Sequence, residues 1–156
     1  MSRRQILTAL IGMSSALLWP SIACAATLPS RQPTPPISTA IVDKDGKSFS
    51  LNVFSGMPVL INFWATWCPP CVSELPALDR ATKKLVGEIK ILLISVDRGG
   101  SKKALPFLQD QGVNRPYFAF DARGALSREM GVRGLPTSFL VGADQRHCWA
   151  YQGSRE

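Results

Sequence analysis

Residues 58–71 constrain this chain more than any other stretch. Pro58-Val59-Leu60-Ile61-Asn62-Phe63-Trp64 is an almost unbroken apolar run, the pattern of a strand buried on both faces. Trp67-Cys68-Pro69-Pro70-Cys71 follows after two residues. Val72, Leu75, Leu78, Thr82, Leu85 and Val86 then recur at helical spacing up to Gly87, so a helix begins inside the cysteine motif. That junction sets the chemistry of the pair. The spacing brings both sulfurs within bonding distance across the first helical turn. Unpaired N–H groups and the partial positive charge of a helix start stabilise a thiolate on Cys68. Pro69 and Pro70 fit the first turn without losing an intrahelical bond, stiffen it, and remove two donors that could have reached the sulfur. Cys68 is therefore the expected nucleophile, with a pKa below the free value of about 8.5, and Cys71 the resolving thiol.

A merely structural disulfide fits poorly, since so small a loop constrains the unfolded chain little. A zinc knuckle needs a second ligand pair, and His147 and Cys148, adjacent in sequence, are unsuited to share a ligand face. With 156 residues the chain has room for one domain. Apolar residues at 46% and charged residues at 19% exclude a disordered or coiled-coil chain. The net charge of +7 includes Arg3 and Arg4. The rest shows no basic block long enough for a nucleic-acid groove and reads as charge scattered over a solvated surface.

Residues 1–25 have the parts of a cleavable export signal: Arg3 and Arg4, an apolar run from Ile6 to Trp19, and Ala23-Cys24-Ala25 as the cleavage site. Twin-arginine export, an uncleaved anchor and lipidation of Cys24 are the other readings of this segment. Residues 26–36, with Pro29, Pro33, Pro35 and Pro36, form an extended linker, and residues 37–156 the domain. Strands are expected at Ser38–Val42 and Ser48–Val53, at Ile89–Val96, at Tyr117–Phe120, and at Thr137–Val141 with His147–Gln152 as its hairpin partner. Helices are expected from a Ser101 cap to about Gln111, with Leu105 and Leu108 inward, and over Ala125–Met130. The order is that of an α/β fold with a central mixed sheet flanked by helices.

Asn62-Phe63-Trp64-Ala65-Thr66-Trp67-Cys68-Pro69-Pro70-Cys71, followed by Glu74 and Pro76, resembles the extracytoplasmic thioredoxin-like disulfide reductases of the TlpA/ResA type. Gly131-Val132-Arg133-Gly134-Leu135-Pro136-Thr137-Ser138-Phe139-Leu140 is similar to the family's second signature, and the likeness runs from about Ile37 to Gly153. The resemblance implies a thioredoxin fold, with an extra strand and helix between the two motifs. It implies a cis-proline at Pro136 facing the disulfide, which leaves the Leu135 backbone free to pair with an extended substrate. Asn62 stands where cytoplasmic thioredoxins carry a buried acid. Glu74 matches the family's active-site glutamate and is expected to exchange protons with the thiols. Trp67 is the tryptophan expected to face substrate, and Trp64 to pack beneath. A thioredoxin fold closes with a C-terminal helix that this chain apparently lacks, as it stops at Glu156.

The resemblance also implies the partners. Substrates would be disulfide-bearing exported proteins, such as apocytochrome c or copper-site proteins, and a membrane-embedded thiol carrier would return the electrons. The expected domain is periplasmic and monomeric, binds no nucleic acid, and uses the Cys68–Cys71 disulfide with no metal or organic cofactor. A DsbA-like oxidase lacks its helical insertion here. A thiol peroxidase would want threonine where Ala65 stands. A copper chaperone of this fold would need a distant histidine, and His147 is the sole candidate.

Overall fold

A computed structural model of the chain describes residues 37–153; the expected leader and linker lie outside the described residues. Strands β1 (Ile41–Asp43), β2 (Ser48–Phe49), β3 (Val59–Trp64), β4 (Lys90–Ser95), β5 (Tyr117–Phe120), β6 (Thr137–Val141) and β7 (His147–Gln152) form one sheet in the order β2-β1-β5-β4-β3-β6-β7. β3, β4 and β5 are parallel to one another, whereas β1, β2, β6 and β7 pair antiparallel. Helices α1 (Pro69–Lys84), α2 (Ser101–Asp110) and α3 (Ala125–Glu129) connect them. The α/β class and the mixed sheet agree with the expectation.

Alternation along the strands divides the core in two. Val59, Ile61 and Phe63 of β3, Leu92 and Ile94 of β4, and Phe139 and Val141 of β6 face Ile41, Leu51, Phe54, Leu126 and Met130. Trp64, Ile91, Leu93 and Phe120 point to the other side, onto Cys71 and Leu75 of α1 and Ala104 and Leu108 of α2. The disulfide is thus part of the second core.

Three local expectations are corrected. Ser48–Val53 is a strand only over Ser48–Phe49, and Leu51–Phe54 is a 3-10 turn. Leu51 and Phe54 are both buried, and a period near three brings them inward together where a strand's period of two would not. Val86, expected inward, is 77% exposed, because α1 ends at Lys84 and the chain turns through Gly87 at φ 84°. Ser101 is not the cap of α2 but its first residue. Gly100 takes the cap position at φ 56°, in a turn closed by its N–H to the Asp97 carbonyl (2.8 Å).

Candidate active site

The register of the sheet gathers the loops of the cysteine motif at one end. Trp64 pairs with Ser95, Ser95 with Phe120, and Phe63 with Thr137. The segments after β3, β4 and β5 and the segment before β6 therefore meet beyond the carboxyl ends of the parallel strands, where α/β sheets place their ligands.

Cys68 is the N-cap of α1, with Pro69 and Pro70 in the first turn. Its Sγ accepts a hydrogen bond from the Cys71 N–H (3.4 Å), so the sulfur itself serves as the helix cap. The two cysteines are joined in a disulfide, their Cα atoms 5.3 Å apart. Cys71 is buried and Cys68 only 5% exposed, while Trp67 beside it is 62% exposed. Below the pair, Trp64 is fully buried, its ring 6.1 Å from that of Phe107 on α2, and its indole N–H has no partner among the described residues. Asn62 is buried and donates to the Ser138 hydroxyl (3.0 Å) across the β3–β6 ladder. Glu74 is half-buried on α1, one turn beyond Cys71.

The Leu135–Pro136 peptide is cis, and Pro136 is buried. Leu135 is half-buried and packs against the core cluster that contains both cysteines. The segment that follows is fixed by the Thr137 hydroxyl, which donates to the Gly134 carbonyl (2.6 Å). Cys68, Cys71, Trp67, Glu74, Leu135 and Pro136 thus all belong to one end of the sheet. The hairpin partner strand carries His147 and Cys148, whose side chains lie outside the described ones. Among the described residues no group of three or more His, Cys, Asp or Glu side chains could hold a metal ion.

One residue of this end was not anticipated. Asp97, at the carboxyl end of β4, is fully buried. Its Oδ2 accepts from the Thr66 N–H (2.9 Å) and the Ser95 hydroxyl (3.0 Å), and its Oδ1 from the Thr66 hydroxyl (2.8 Å). The Lys103 ammonium of α2 lies 3.2 Å from Oδ1. Burial pushes the carboxyl up, but the bonds from Thr66, Ser95 and Lys103 outweigh it and hold Asp97 below the usual carboxylate range. Asp97 therefore ties the loop entering the cysteine motif to the neighbouring strand. An acid directly after a buried apolar strand, at the end where loops converge, was the signal available in the sequence.

Comparison with known proteins agrees with this geometry. The Redoxin family profile matches residues 29–156. The chain belongs to the redoxin family. It is 37% identical over 101 residues to the thiol:disulfide interchange protein DsbE of Vibrio cholerae, covering 64% of this chain and 52% of that protein. It is 34% identical over 105 residues to the thiol-disulfide oxidoreductase ResA of Bacillus cereus, covering 67% of this chain and 60% of the relative. The redoxin chain thus spans little more than half the length of these curated relatives. A DsbE-type interchange protein of Chlorobium tepidum superposes with a TM-score of 0.71 at 27% identity, over 81% of this chain and 89% of the other. StoA of Bacillus subtilis, at 21% identity and a TM-score of 0.66, shares the fold. The fold is thioredoxin-like.

Proposed function

We propose that this redoxin is a thiol:disulfide oxidoreductase that reduces disulfides of exported proteins. The observation that carries the reading is the Cys68 sulfur capping α1 within a closed Cys68–Cys71 disulfide. In the reduced domain the Cys68 thiolate attacks one sulfur of a partner disulfide. The partner's S–S bond breaks, a mixed disulfide forms, and the leaving partner sulfur takes a proton. Cys71, as thiolate, then attacks the Cys68 sulfur and expels the second partner thiol. Two electrons pass to the partner, and the domain is left with the disulfide described above. No metal or organic cofactor enters this balance.

Trp67 and the Leu135–Pro136 segment flank the pair and would receive the partner's extended chain, the Leu135 backbone supplying strand-like hydrogen bonds. Glu74 would exchange the proton of the buried Cys71. The two prolines support the reducing direction. Pro69 and Pro70 offer no N–H, and among the described residues only the Cys71 N–H reaches the Cys68 sulfur. The helix start still favours the Cys68 thiolate, but each donor that proline removes makes that stabilisation smaller than in a first turn with its N–H groups intact, which favours a reductant. On this reading the domain works outside the cytoplasm, as the export-signal pattern of residues 1–25 supports, and a membrane-embedded thiol carrier would recharge it.

Equilibrium titration against glutathione tests the proposal. A potential well below about −200 mV is expected; one near about −120 mV would make the domain an oxidant and overturn the reading.

A further inference from the structure

Six cations far apart in the sequence meet at one end of the sheet. Arg98 lies in the loop after β4, Lys102 in the first turn of α2, Arg123 in the loop after β5, and Arg133 in the loop before Pro136. All four belong to the end of the sheet that holds the disulfide, all are exposed, and none is in an ion pair among the described residues. Lys103 and Arg128 add exposed cations to the same end. Of the acids there, only Glu129 is exposed, and it is engaged by backbone donors. Asp97 and Asp121 are buried, the first held by Thr66 and Lys103 and the second by the Ala125 and Ser127 N–H groups. Glu129 takes the N–H groups of Ser38 and Thr39 (2.9 and 3.0 Å), and Glu74 is half-buried on the second turn of α1. The opposite end differs in its acids: its cations, Lys47, Lys83 and Lys84 among them, are interspersed with the exposed Asp45, Glu88, Asp110 and Asp144.

We propose that this cationic rim selects partners whose reducible cystine is flanked by acidic residues. The inference rests on the reductase reading and adds the class of substrate. Unpaired like charges around an apolar, low-dielectric pair of sulfurs raise the local concentration of an anionic segment and speed its encounter. Arg98 and Arg133 lie in loops on either side of the cysteine motif, so an extended chain crossing Cys68 would pass both.

The test uses the reduced protein and three peptides with the same internal cystine, flanked by Asp-Glu, Ser-Gly or Lys-Arg. Reduction of the acidic peptide should be about tenfold faster than that of the neutral one near 50 mM salt, and within about twofold at 0.5 M, where screening is strong. Arg98→Ser/Arg133→Ser should remove most of that ratio. Lys47→Ser/Lys84→Ser, an equal loss of charge at the far end of the sheet, should keep it. Equal rates on the acidic and neutral peptides, or the same loss in both double variants, would overturn the inference and leave the reductase standing. Failure to reduce even the neutral peptide would sink the reductase reading, and the rim proposal with it.

Discussion

Asp97, at the end of β4, and Asp79, three turns into α1, are both shut away from water and both gather donors from a segment more than thirty residues away. Asp79 accepts from the N–H groups of Asn114 and Arg115 (2.9 Å each) and from the Arg115 guanidinium, tying α1 to the approach of β5. Asp97 accepts from both donors of Thr66, two residues before Cys68. Burial raises each carboxyl, and in each the donors win and lower it. The physics is the same and the consequences are not. A carboxylate clasping a connection holds the fold, whereas one clasping the loop that feeds the helix cap also holds the sulfur's place.

Asp97→Ala is the largest blow to that contrast. Thr66 and Ser95 lose an ionised acceptor in the interior, which should lower stability by about 3 kcal/mol. The freed loop should also slow alkylation of reduced Cys68 at neutral pH by about fivefold, as the sulfur loses its fixed place against the Cys71 N–H. Urea unfolding and iodoacetamide kinetics measure the two separately; alkylation at the wild-type rate would erase the distinction. Asp79→Ala should cost about 2 kcal/mol, less because Arg115 is half exposed and regains water. Its Cys68 should alkylate within about twofold of wild type, and a larger change would make Asp79 part of the site. Thr66→Val keeps the N–H bond to Asp97 and removes the hydroxyl, so about 1 kcal/mol and a small alkylation change sharpen the assignment.

The smallest effect appears on mild acidification. Asp97, Asp79 and Glu129 all have folded values below their ordinary ones. The stability they contribute is complete above the unfolded value of about 4 and is lost as pH falls through the lower folded value. Less than about 1 kcal/mol should be gone at pH 4, with the loss deepening towards pH 2. Asp79→Asn/Asp97→Asn should flatten that decline, as urea midpoints at pH 6, 4 and 3 would reveal.

Glu74 and Asp79 illustrate what could be read in advance. Both follow Cys71 on α1, but only Glu74 stands out in the sequence, through the family's pattern. Asp79 sits eight residues after Cys71 and four after Leu75, on the same inward stripe, where an acid demands a partner. Helical periodicity alone could have flagged it, yet its partners Asn114 and Arg115 lie beyond α2. Val86 failed the opposite way: it continues the helical spacing on paper, but Gly87 had already reversed the chain.

What the sequence determined by itself was whatever a few consecutive residues decide. These are the apolar run of β3, the helix opening at two prolines, the sulfur pair one turn apart, and the order of strands and helices. Local sterics and periodicity govern such features, so they need no knowledge of the rest of the chain. The Asp97 clasp and the gathering of Arg98, Arg123 and Arg133 around the disulfide were decided only by the tertiary structure. Both depend on strand order and register, which bring loops far apart in sequence to one end of the sheet. A carboxylate's bonds and a cation's field act over distances through space, and only the folded sheet sets those distances.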